Sequence, residues 1–199
     1  MRRSTTLCLA GVALLTGATA QALAAGTPTV ALAIALAAAR TAAFPDAANA
    51  RLICSSDKGS IIVNGAHYDA GALGNGLAGV TSCRWFVPSD ADWVEAPAHL
   101  ADVGAHVTAN FMTPAAGAEP RLYELVGVGA TGDFDTAVAS ITASYGQPQT
   151  TDVLAGGGMQ ETWQVPGMKI VVSQKDPQYG NLVIDYLQPD LEDMVVHPF

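Results

Sequence analysis

Residues 133–148 read DFDTAVASITASYGQP, and the fold is read outward from them. Phe134, Val138, Ile141 and Tyr145 recur at i, i+4, i+7 and i+11, one apolar side of an α-helix. Asp133 stands where an N-cap oxygen would meet the free amides of the first turn. Gly146 supplies a left-handed residue just past the last turn, and Pro148 blocks continuation. The spacing therefore predicts one amphipathic helix with defined ends.

Alternating strands flank it. ETWQV (161–165) places Trp163 and Val165 on one face, and Pro166-Gly167 suits a tight turn. MKIVVSQ (168–174) then alternates through Met168, Ile170 and Val172, and LVIDYLQ (182–188) through Leu182, Ile184 and Tyr186. Before the helix, HVTANFM (106–112) and RLYELVGVGA (121–130) read as strands joined by the Pro- and Gly-bearing turn TPAAGAEP. Residues 106–188 thus predict ββαβββ: an antiparallel meander with one helix packed on one face, an α+β fold. The acidic tail PDLEDMVVHPF (189–199) reads as loosely held. The succession of helix, Tyr145-Gly146-x-Pro148, Trp163 strand and Tyr186 strand resembles many small bacterial envelope proteins in architecture, without naming a family.

Upstream the pattern is shorter and broken. RLICS (51–55), GSIIVNG (59–65) and VTSCRWFV (80–87) suggest strands, with YDAGALGNGLAG (68–79) as loop. The other end of the chain decides the compartment. Arg2 and Arg3 precede an uncharged run from Leu7 to Leu15, and the small-residue exit Ala22-Leu23-Ala24 follows, as in a secretory signal peptide spanning 1–24. Thr16, Gly17, Thr19 and Gln21 dilute the run below a bilayer span. Bulky Leu7 before Cys8 argues against lipidation. Residues 25–50 are Ala-rich and read either as an N-terminal helix or as a segment removed later, after Ala50 in AANA (47–50). A single domain, 51–199, follows.

Composition narrows the partners. The chain has 9 Lys+Arg and 18 Asp+Glu; losing Arg2 and Arg3 leaves 7 against 18, a net −11. With no basic cluster, such a surface repels phosphate backbones and anionic lipid, so nucleic acid is excluded as a partner. Two cysteines remain after the leader, Cys54 and Cys83, an even pair in an exported chain and hence an expected disulfide.

Several apparent motifs fail on their own requirements. GNGLAG (74–79) has dinucleotide-loop spacing, but β-branched and aromatic residues follow where a helix must start. SSDK (55–58) matches S-x-x-K, yet Gly59 breaks any helix and the companion elements are missing. In HLADVGAH, His99, Asp102 and His106 would share one arc of a helix over 98–106 and could hold zinc or copper, with loop residue His67 able to join. Gly104 opposes that helix, and a polar turn is the simpler reading. His197 lies in the tail. Asp90, Asp92 and Glu95 bracket Trp93 and form the candidate binding surface, together with the glycine loop 71–79.

The expectation is a secreted or periplasmic accessory or binding protein without catalytic activity and without a cofactor. Its partner would be an envelope protein or a cell-wall glycan. The alternative is a small metal-dependent or hydrolytic envelope enzyme using His99, Asp102 and His106.

Overall fold

The computed structural model describes residues 32–41, 49–63, 66–90, 92–176 and 181–196. The leader reading for 1–24, the 177–180 turn and His197 lie outside them. The described domain is largely β, mostly antiparallel, with few helices.

In chain order, a one-turn helix α1 (Leu36–Ala39) precedes β1 (Arg51–Cys54), β2 (Ser60–Val63) and β3 (Ala66–Asp69). The long β4 (Val80–Ser89) turns into β5 (Asp92–Glu95), and two short strands follow, β6 (His99–Leu100) and β7 (Val103–Gly104). β8 (His106–Met112) and β9 (Arg121–Ala130) lead to α2 (Phe134–Tyr145), then β10 (Thr150–Val153), β11 (Met159–Val165), β12 (Met168–Asp176), β13 (Asn181–Leu187) and α3 (Pro189–Val196). Eleven strands join in one sheet, ordered β10-β11-β12-β13-β9-β8-β4-β5-β2-β3, with β1 on β4; β6 and β7 pair separately. Only the single Val63↔Trp93 contact between β2 and β5 is parallel among the described pairings.

One lateral row shows how alternation builds the core. Trp163, Ile170, Tyr186, Leu125, Ala109, Cys83 and Cys54 stand directly opposite one another across seven consecutive strands. Each is at most 1% exposed. Because side chains alternate with period 2, this common parity sends seven strands' apolar sets to one face. The row ends in the Cys54–Cys83 disulfide, whose Cα atoms are 4.0 Å apart. Trp85 is buried in the same core as the two cysteines.

α2 packs on β11 and β12 through Phe134, Ala137 and Ile141, with Val138 and Tyr145 half-buried beside them. Its start differs from expectation. A 3₁₀ turn, Thr131–Asp133, runs into the helix, which leaves Asp133 at φ −95°, ψ 4° with no side-chain cap bond. Capping needs extended backbone at that position, and the turn removes it. At the other end Gly146 (φ 87°) donates its N–H to Thr142 O at 2.9 Å.

Three further differences stand out. β10 is an additional strand, paired with β11 from Thr150↔Thr162 to Val153↔Met159. The tail forms α3, packed on β9, with Lys169 Nζ 3.5 Å from Glu192. Among the described residues of the Ala-rich segment, Leu36–Ala39 are helical, while Ala33 and Ile34 make backbone hydrogen bonds to Leu122. β10 is the near arm of a local hairpin closed by the Leu154 N–H donating to Gly158 O at 2.7 Å, whereas for the tail and the Ala-rich segment a neighbour far along the chain supplies contacts that local propensity does not register.

Candidate functional site

His99, Asp102 and His106 do not lie on a helix. Residues 99–104 form a β-hairpin in which His99 pairs with Gly104 and Leu100 with Val103. Its two turn residues, Ala101 (φ 49°) and Asp102 (φ 62°), are both left-handed, the geometry of a type I′ turn. A helix over 98–106 would require both in the right-handed region.

The hairpin is held by its underside. Leu100 is fully buried over Gly127 of β9, and its side chain occupies the space a β-carbon on Gly127 would need. A β-carbon at Gly129 would meet the Gly104 carbonyl oxygen at 3.0 Å. Glycine within a strand marks close approach of another chain segment, and VGVGA carries that signal twice. Strand alternation alone does not distinguish these glycines from the rest of β9.

This seating separates the three candidate side chains. Asp102 turns toward α2 and accepts a hydrogen bond from Ser140 Oγ at 2.6 Å. His99 and His106 instead border one open cleft of about 520 Å³, together with Glu95, Pro97, Val128 and Asn181. The carboxylate partner there is Glu95: its Oε2 lies 3.2 Å from Nδ1 of His106, and 3.8 Å from Arg84 Nη1. Arg84 in turn donates from Nε to Thr108 Oγ1 at 3.1 Å. The His106 side chain is 75% exposed and that of Glu95 23%. A half-buried carboxylate thus orients an exposed imidazole at the lip of the cleft. The Glu95–His106 pair joins residues eleven apart across the β6–β7 hairpin, so no single period announces it. Among the described residues, no group of three His, Cys, Asp or Glu side chains is placed to hold a metal ion.

The acidic stretch around Trp93 is a hairpin between β4 and β5, with Ser89 opposite Asp92. Asp90 is exposed at φ 48°, and Asp92 Oδ1 accepts from the Trp93 N–H at 2.7 Å. The Trp93 ring is half-buried, with the Arg51 guanidinium 5.4 Å from its centroid. The glycine loop enters β4 at Val80, whereas the acidic hairpin leaves it at Ser89. At ~3.3 Å per residue the two halves of the candidate surface sit at opposite ends of a strand roughly 30 Å long. Only Glu95 of the acidic group reaches the cleft.

The remaining motifs have structural occupations. Gly76 and Gly79 adopt φ +77° and +75°, and β4, not a helix, follows them. Ser55 Oγ accepts from the Ser82 N–H, and Asp57 accepts from the Cys54 N–H at 2.9 Å, so SSDK is the turn after β1. His67 is exposed on β3, away from the cleft lining.

No family model, curated protein or solved structure matches the chain. Among the described residues no helix is long and apolar enough to cross a membrane.

Proposed function

We propose that the chain is an exported accessory protein that holds a partner rather than transforming one, and that the cleft beside the 99–104 hairpin is its binding site. The observation that carries this reading is the Glu95–His106 pair at the lip of an open cleft, with Asp102 directed away to Ser140. An imidazole oriented by a carboxylate presents its other ring nitrogen to the cleft as a hydrogen-bonding group. The small side chains Ala96, Ala98 and Ala105 leave room for an extended partner segment or a sugar ring. A net charge of −9 over the whole chain favours cationic partners. An envelope protein with a basic segment meets all of these requirements, and a cell-wall glycan meets those of size and hydrogen bonding.

The test is retention of envelope proteins and of cell-wall fragments by immobilised protein, compared with His106→Ala and Glu95→Ala. Retention by the unaltered chain and its loss in both variants is the expected result. No retained envelope component, or equal retention by all three proteins, overturns the reading.

The same pair supports a second reading, a hydrolytic enzyme in which Glu95 orients His106 as general base, with His99 lining the same cleft. Turnover of cell-wall fragments by the unaltered protein, lost in His106→Ala, would favour it over pure binding.

A further inference from the structure

We propose that the exported protein keeps residues 32–41 as a permanent strap, so that processing ends upstream of Leu32 and the Ala50–Arg51 bond is not cut. The inference needs only the export signal and the contacts of this segment; it is independent of what the cleft binds.

The strap completes the edge of β9. That edge is occupied by β13 as far as Leu187↔Glu124, and the Gln188 N–H then donates to Tyr123 O at 2.7 Å. The next residue, Leu122, directs its backbone groups to the strap instead: Ala33 N–H donates to Leu122 O at 2.8 Å and Leu122 N–H to Ile34 O at 2.9 Å. Ala35 bridges Arg121, and the Leu36 N–H reaches Pro120 O at 2.9 Å. Without these residues β9 would end in an unpaired strand edge beside the core, a template for intermolecular pairing.

Side chains fasten both ends. Leu32, Ile34 and Leu36 pack on the core, and Ala39 is 1% exposed within it. The Ala37 N–H donates to Glu119 Oε1 at 3.2 Å. The Arg40 guanidinium spans both carboxylate oxygens of Asp57 and donates to Leu52 O at 3.2 Å. Asp57 accepts from the Cys54 N–H as well, so Arg40 is tied to the turn beside the disulfide.

The alternative cleavage point is poorly placed for a protease acting on folded protein. Ala50 is half-buried against the core, and pairing of β1 with β4 begins at the next residue, Arg51↔Phe86. Proteases bind extended, unpaired substrate, so a cut there would have to precede folding and would discard the strap.

The test uses the full-length chain expressed in an exporting host. N-terminal sequencing and intact mass of the recovered protein should place its first residue upstream of Leu32. On that protein, hydrogen exchange should show the amides of Ala33, Leu36 and Leu122 protected like those of neighbouring β9. In Arg40→Ala the Ala33 and Leu36 amides should exchange several-fold faster while β11–β13 stay unchanged. A first residue at Arg51 overturns the proposal. So does free-peptide exchange at Ala33 and Leu36 in the unaltered chain. Unchanged exchange in Arg40→Ala overturns the anchoring by Asp57.

Discussion

The Leu100 side chain fills the position that a β-carbon on Gly127 would take, so the wall of the cleft rests on the absence of one side chain. Leu100 belongs to the hairpin that carries His99, and Gly127 pairs with Val107 of β8 and Ile184 of β13 in the centre of the sheet. Neither partner can yield easily. The leucine is fully buried and the glycine is held on both edges.

Gly127→Ala should therefore cost ~1–3 kcal/mol, the range for forcing extra volume into a packed interior. Combined with Leu100→Ala, the two losses should fall short of their sum by at least ~1 kcal/mol, because the second change removes the clash made by the first. Urea denaturation of both single variants and the double variant measures this coupling.

Trp163 links the meander to the helix. Its Nε1–H donates to Gly146 O at 2.9 Å, satisfying a carbonyl at the C-terminal end of α2, and its ring is fully buried. Trp163→Phe removes that donor and leaves a small void, which should cost ~2–3 kcal/mol in equilibrium unfolding. Amides in the last turn of α2 should lose protection first.

Tyr186 presents the opposite case. Its hydroxyl is buried and has no hydrogen-bond partner among the described residues, so Tyr186→Phe should leave stability at pH 7 unchanged or raise it by up to ~1 kcal/mol. The pH dependence carries a sign. Burial, then the nearby Tyr145 and Asp102, holds the folded phenol well above the ordinary tyrosine range. Its contribution is intact below the unfolded value of ~10 and is lost as pH rises beyond it, since only the unfolded chain ionises readily. Thermal melts from pH 8 to 11 should fall less steeply for Tyr186→Phe. Some slope should persist from Tyr123, whose hydroxyl is raised by burial and by Glu124.

The disulfide joins directly opposed residues of β1 and β4, separated by 29 positions. Cys54→Ala with Cys83→Ala should cost ~3–4 kcal/mol, the loop-closure entropy regained by the unfolded chain. The midpoint in urea reports it. Unaltered protein treated with reductant should shift by a similar amount.

What the sequence by itself determined is whatever repeats locally. Alternation assigned Trp163, Ile170, Ile184 and Tyr186 to the buried face, the 3.6-residue period marked the inner side of α2, and the expected pairing of Cys54 with Cys83 is the bond the structure contains. The periodic properties are written in residues close together, and the cysteine pairing follows from a count of two outside the stretch read as a leader. Tertiary structure decided everything that depends on a distant neighbour. An Ala-rich stretch that favours helix spends Ala33 and Ile34 on Leu122 because β9 offers an open edge there. His99, Asp102 and His106 follow a tight turn rather than a helix, because Leu100 has a glycine to lie on. The site consequently pairs His106 with Glu95 and gives Asp102 to Ser140. Pairing and seating energies outweigh helix propensities of a few tenths of a kcal/mol per residue, and they appear only when remote segments meet.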